Sequence, residues 1–167
     1  MRKGREEIRD ISFSPVPDVR IRVIEFGDSE TVIESKKKYP FKLFNPVTVS
    51  AETTKRKFQF CIHNGYTWNG ADIPRILWRL IGSRTDNDFL LASMLHDFLL
   101  DFRFFMMEEI LEGKMTTQEY RRLTSLILGY ILKKQGTSPV KANIMSYFTD
   151  IYQIINTGKW KKNGNLN

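Results

Sequence analysis

The sequence predicts an α+β fold, with N-terminal antiparallel β hairpins or a small sheet followed by a C-terminal bundle of three to four helices. Two observations carry that prediction. Apolar residues recur with period two in the first 64 positions, then at helical spacing after position 86. Between them lies a stretch crowded with Gly, Pro, Asn and Asp, where neither period holds.

In the β half, Val19, Ile21 and Val23 alternate with Arg20, Arg22 and Ile24. The turn-forming Gly27-Asp28-Ser29-Glu30 and the β-branched Thr31-Val32-Ile33 then predict a hairpin. Lys36-Lys37-Lys38 reads as a solvated loop or a protected edge. Two further strands are expected at Pro46-Val47-Thr48-Val49 and Lys57-Phe58-Gln59-Phe60-Cys61-Ile62, with Pro40 and Pro46 at edges or strand starts. Cys61, the single cysteine, reads as a small buried hydrophobe within its strand.

In the helical half, Pro74 can open a short helix, Pro74–Ile81, because its missing N–H costs nothing in the first turn. Thr85 and Asp88 make a carboxylate version of a capping box. The helix behind them carries Phe89, Leu90, Met94, Leu95, Phe98, Leu99 and Phe102, and is expected to run to Leu111 and stop at Gly113. Thr116-Thr117-Gln118-Glu119 is a full capping box. It starts a helix with Tyr120, Leu123, Ile127, Tyr130 and Ile131 on one face and Gly136 at its end. Ser138-Pro139 begins a last helix, in which Val140, Ile144, Tyr147, Phe148, Ile151 and Ile155 are expected inward and Gly158 ends it. The expected layout within one domain is residues 1–64 mostly β, 65–85 a Gly/Pro loop with a short helix, 86–158 helical, and 159–167 a basic tail.

Composition narrows the function classes. With 167 residues, 41% hydrophobic, 27% charged and twelve Phe, the chain suits one ordinary core and not a disordered segment. No apolar run approaches the roughly 20 residues of a membrane span. The charged opening Met1-Arg2-Lys3-Gly4-Arg5-Glu6-Glu7 lacks the apolar core of a signal peptide, so the expected location is a cytoplasm or a particle. The net charge is +7, and six Lys against Asp150 from Lys133 onward supply most of it. A basic surface suits nucleic acid, an anionic membrane or an acidic protein. Without an Arg-rich or aromatic-studded motif, a protein partner is favoured over nucleic acid.

Two segments break the surrounding patterns. In Asn64-Gly65-Tyr66-Thr67-Trp68-Asn69-Gly70-Ala71-Asp72-Ile73-Pro74-Arg75, the glycines allow close backbone approach, and Asp72 stands near the positive end of the Pro-led helix. The plain reading is an Asn-Gly turn and an Asp helix cap. The other segment, His96-Asp97-Phe98-Leu99-Leu100-Asp101, sets Asp97 and Asp101 four apart on an otherwise apolar helix. A His and two carboxylates buried together must be hydrogen-bonded or hold a metal.

Two chemical readings follow. In the catalytic one, His96 is a general base, Asp97 and Asp72 orient it or assist, and Trp68, Asn69, Gly70 and Arg75 hold substrate. Asp97 and Asp101 would then be ligands of a divalent cation. In the structural one, the two segments form a polar staple between loop and helix. No Walker loop, GxGxxG, CxxC or HExxH motif is present.

Together the segments Gly65–Arg75, Trp78 and Ala92-Ser93-Met94-Leu95-His96-Asp97-Phe98-Leu99 resemble the domain of unknown function 1353 family. That family occurs largely in bacteriophages and prophages. The resemblance covers about residues 58–101, and the helix from Thr116 to Gln135 resembles the family's closing helix. It implies a phage-encoded protein acting in a host cytoplasm or a virion, with a host or phage protein as partner. The chain departs from the family pattern in four places. Asn69 stands where the family has Asp, Asp72 where it has Ser, Leu100 where it has Tyr, and Arg121-Arg122 near the place of an Asp. Those exchanges weaken a multi-carboxylate cation site and favour a non-enzymatic accessory role, as virion component or binder of a host protein. The alternative is a small hydrolase built on His96.

Overall fold

The structure, a computed structural model, describes residues 6–69 and 87–155. Two three-stranded antiparallel sheets precede the helices. One has the order β1 (Ile8–Ser14), β4 (Val47–Thr53), β5 (Lys57–Ile62). The other has β2 (Val19–Ile21), β3 (Phe41–Leu43), β6 (Thr67–Trp68), with helix α1 (Glu30–Lys38) between β2 and β3. After residue 86 come α2 (Asn87–Asp101), a helical turn at Arg103–Phe105, a π-helical turn at Met106–Ile110, α3 (Thr117–Lys134) and α4 (Pro139–Ile155).

The hairpin β4–β5 forms where alternation was clearest. Val47, Val49, Ala51 and Thr53 point inward from β4, and Phe58, Phe60 and Ile62 from β5, in a register pairing Val49 with Phe60. The same alternation turns Cys61 outward, so the cysteine is exposed and not a core residue.

Residues 31–33 are helical, not a returning strand. The Ser29 side chain accepts a hydrogen bond from the Val32 backbone N–H. Glu30 sits in the first turn and Lys36, Lys37 and Lys38 in the last, each sign matched to the helix dipole. The lysine triplet is thus a helix end, not a loop or strand edge. β2 pairs instead with β3, Val19 opposite Leu43 and Ile21 opposite Phe41. Strands β1, β3 and β6 were not anticipated, β6 falling where a Gly/Pro loop was expected.

The helix that begins at Asn87 does not run on to Leu111. It ends at Asp101, and the chain re-forms as the Arg103 turn and the π turn. Glu112 (φ 55°) and Gly113 (φ 63°) then close it in the left-handed region. The capping box at α3 forms as expected: Thr116 accepts from the Glu119 N–H, and the Glu119 carboxylate accepts from the Thr116 N–H. Gly136 ends that helix at φ 98°. The expected helix Pro74–Ile81, the Thr85 cap and the Gly158 stop lie outside the described residues.

Helix α3 is the central member of the helical layer. Tyr120 donates to the Leu99 carbonyl of α2 at 2.5 Å. At its other end Tyr130 donates to the Arg9 carbonyl of β1, and Lys134 to the Asp10 carboxylate. The inward face of α4 differs from expectation: Ala142, Met145, Thr149 and Gln153 are buried. Val140, Ile144, Tyr147, Phe148 and Ile155 face outward, with Ile151 half-buried. The reason is a close helix contact at Gly129, where an added Cβ would stand 2.9 Å from the Ser146 Cβ and 3.4 Å from the Ala142 carbonyl oxygen. Small side chains are what that gap accepts. Ser146 also donates to the Ser125 carbonyl at 2.7 Å.

Replacing Gly129 by Ala should therefore overpack this crossing and destabilise the protein by about 1–3 kcal/mol in urea unfolding, whereas an exposed Gly→Ala change elsewhere in a helix normally stabilises.

Candidate functional site

The described part of the first segment, residues 64–69, meets the second segment where β6 lies on α2. The backbone reaches β6 through a turn at Gly65 (φ 89°), whose N–H donates to the Leu43 carbonyl. The Tyr66 carbonyl in turn accepts from the Leu43 N–H. The short pairing of Phe41 with Trp68 and Lys42 with Thr67 then fixes which way each side chain points.

Trp68 is 1% exposed. A buried indole N–H needs an acceptor, and it finds the Ser93 hydroxyl of α2 at 3.1 Å. Ser93 itself donates to the Leu90 carbonyl at 3.0 Å, so its hydrogen is committed to its own helix and its lone pair to Trp68. Two turns further along α2, the Tyr66 hydroxyl donates to the Asp101 carboxylate at 2.8 Å. Ser93, Asp97 and Asp101 follow one another at four-residue steps, so they share one side of α2. Aromatic rings fill the space between the two hydrogen bonds. Tyr66 stacks near Trp68 (6.0 Å) and meets Phe98 edge-on (5.4 Å), and Phe98 contacts Phe60 and Phe102.

The electrostatics follow from this packing. Burial, then the negative charges of Asp101 and Asp97, push the Tyr66 hydroxyl well above its ordinary value, so it stays protonated as a donor. Asp101 is exposed at its outer edge, and partial desolvation of its carboxyl raises it, against the opposing effects of the Tyr66 hydrogen bond and the Arg103 charge. Arg103 is lowered by its own desolvation.

His96 faces elsewhere. It is 4% exposed and meets α4, with Nε2 at 2.8 Å from Gln153 Nε2. Its Nδ1 lies 3.5 Å from Asp97 Oδ1, the outer limit of a hydrogen bond. With Gln153 donating, a neutral ring carries its proton on Nδ1, towards Asp97. Gln153 Oε1 then has no hydrogen-bond partner among the described residues, and turning the amide over only moves that deficit to its nitrogen. In that orientation the imidazole lone pair a general base would use is occupied.

The structure brings together Trp68, the α2 stripe and, from the neighbouring side, His96. Asn69 follows β6 directly and is half-buried. Gly70, Asp72 and Arg75 lie outside the described residues. Among the described residues no cluster of three or more His, Cys, Asp or Glu side chains has the geometry to hold a metal. Tyr66, Ser93 and Gln153 were not singled out from sequence. The first two were visible inside the motif segments, while Gln153 carried no local signal. Arg121, a departure from the family pattern, is buried and joins α3 to α4, with Nη1 3.2 Å from Asp150 Oδ1 and 2.9 Å from its carbonyl oxygen. Arg122 instead lines an open cleft with Glu119, Asn143 and Tyr147.

Beside the β6–α2 junction lies an aromatic cleft of about 480 Å³, walled by Phe60, Tyr66, Phe98, Phe102, Phe105 and Ile110, with Cys61, His63 and Asn64 also lining it. His63, directly after β5, is exposed. One side of the cleft is the π turn, a feature that recurs at functional sites.

The family model described as Protein of unknown function (DUF1353) matches residues 41–148. The chain belongs to that family. The match spans from β3 into α4, extending past the expected 58–101 and the closing helix from Thr116 to Gln135 at both ends, so the DUF1353 region takes in the second sheet's central strand, the β4–β5 hairpin and all of α2 and α3. No curated protein and no solved structure matches the chain. No helix among the described residues is long and apolar enough to cross a membrane.

Two substitutions test this junction. Ser93→Ala should cost about 1–3 kcal/mol, because it leaves the Trp68 N–H buried without an acceptor; the check is a urea-unfolding comparison with Trp68→Phe, which removes donor and need together. Asp101→Asn should raise the melting temperature at pH 7 and lose that advantage below about pH 4, near the ordinary carboxylate value. The sign follows from the raised Asp101: the folded state holds its proton more tightly than the unfolded chain, so the residue favours folding at low pH and that contribution is lost as pH rises through the folded value.

Proposed function

We propose that this chain is a non-enzymatic accessory protein that acts by binding another protein, and that its two motif segments form a structural staple beneath the binding surface. The observation that carries this reading is where the polar groups go. Trp68 is bonded to Ser93, Tyr66 to Asp101, and His96 to Gln153, each within the chain. What remains open to solvent next to them is the aromatic cleft, whose rim residues Phe102 and Phe105 are 44% and 49% exposed. Aromatic anchors in a preformed pocket suit recognition of an apolar side chain.

The resemblance to a family found largely in bacteriophages and prophages supports a phage origin. A virion component or a binder of a host protein both fit that origin. The competing reading is a small hydrolase with His96 as base and Asp97, Asp101 and Asp72 as orienting or cation-binding carboxylates. The Asp97 contact with His96 favours it, while the burial of His96 and its bond to Gln153 oppose it.

His96→Ala separates the two. Under the staple reading it lowers stability by about 2–4 kcal/mol, through a cavity and the loss of Gln153's partner. The wild type should show no turnover of nitrophenyl esters or phosphates, with or without Mg²⁺, Mn²⁺ or Zn²⁺. Turnover abolished by His96→Ala at unchanged stability would establish the hydrolase instead.

A further inference from the structure

Helix α4 buries its more polar side and exposes its more apolar one. One side packs into the protein through Ala142, Met145, Thr149 and Gln153. The other presents Val140, Ile144, Tyr147, Phe148, Ile154 and Ile155, which are 37–74% exposed, with Ile151 half-buried among them. No charged side chain interrupts that outward stripe over four turns. Six of its seven positions, 140, 144, 147, 148, 151 and 155, are separated by steps of 4, 3, 1, 3 and 4 residues, with Ile154 at the stripe's margin outside the series. The series reads the same from either end.

We propose that this stripe pairs with the same stripe of a second copy of the chain, the two α4 helices antiparallel about a twofold axis between Tyr147 and Phe148. An isologous contact requires a surface complementary to itself under that rotation, and the palindromic spacing supplies it. Val140 meets Ile155 of the second copy, Ile144 meets Ile151, and Tyr147 meets Phe148. Those last two rings already sit edge-to-face within one chain, 5.9 Å apart, so pairing extends an aromatic cluster.

Charge favours a second copy over an anionic membrane as occupant. Within α4 the only charged residues are Lys141 and Asp150, and Asp150 is paired with Arg121. A helix that lies in a lipid surface carries Lys and Arg along its polar side, whereas here that side is packed on α3. The antiparallel sense also separates like charges. Lys159, Lys161 and Lys162 follow α4 in sequence, and opposed helices set their starting points about 25 Å apart, beyond the roughly 8 Å screening length at physiological salt. A helix pair of this length lies at the small end of specific interfaces, so dissociation in the micromolar range is expected.

Sedimentation velocity on the full chain over roughly 5–200 µM should show a reversible monomer–dimer equilibrium in that range. Tyr147→Glu should leave a monomer throughout, with an unchanged thermal melt because the position is exposed. Ile144→Cys combined with Ile151→Cys, on a Cys61→Ser background, tests the direction. The two positions are about 10 Å apart along one helix, too far for an internal bridge. Oxidation should therefore give a covalent dimer, and Ile144→Cys alone should not. A wild type that stays monomeric up to 200 µM overturns the proposal. So does a dimer that survives Tyr147→Glu, or a monomer that binds phosphatidylserine vesicles through Tyr147.

Discussion

The buried hydrogen bond from Trp68 to Ser93 is the constraint on which the rest of this arrangement depends. An indole sealed from water cannot leave its N–H unpaired without a penalty of about 1–3 kcal/mol, and Ser93 is the acceptor that α2 provides. That contact fixes the two-residue strand β6 against the helix. β6 is the outer strand of its sheet, so fixing it also fixes β3 through the Phe41–Trp68 pairing. Tyr66, two residues before Trp68, is then held opposite Asp101. Two segments 25 residues apart in the chain become one unit through a single indole, and the aromatic cleft is the outer surface of that unit.

His96 belongs to a different contact. It is adjacent to Asp97 in sequence, yet one residue of helix rotation turns it from β6 towards α4 and Gln153. The motif His-Asp therefore reaches two neighbours of α2, α4 through His96 and the Tyr66 side through Asp97. A Tyr hydroxyl held protonated by burial and an Asp raised by it make a stable neutral donor and its acceptor, which is chemistry suited to fixing a strand in place.

How much of this was legible depended on whether the signal was local. The β4–β5 hairpin was readable because one face of each strand is buried and the alternation is complete. The start of α3 was readable because a capping box is a contact between residues three apart. The approach of residues 64–69 to α2 was readable because both stretches break the pattern around them. Helix α1 was not, since Thr31-Val32-Ile33 has β-forming side chains and the Ser29 cap prevailed over them. The inward face of α4 was not, because its most apolar stripe faces outward, and the packing of the side that holds Thr149 and Gln153 is set by Gly129 on another helix. Cys61 was misplaced for a simpler reason: its strand's phase is set by Phe58, Phe60 and Ile62, and a cysteine between them must face outward.

The Trp68–Ser93 bond belongs to the most protected unit of the fold, and hydrogen exchange at the Trp68 indole N–H measures that protection. Followed by NMR in D₂O, that proton should exchange only through global unfolding, with an opening free energy equal to the unfolding free energy measured in urea. Ser93→Ala should lower both by the same amount. Exchange of the Trp68 indole proton within minutes, through local opening of β6 while the α3 amides stay protected, would contradict the account.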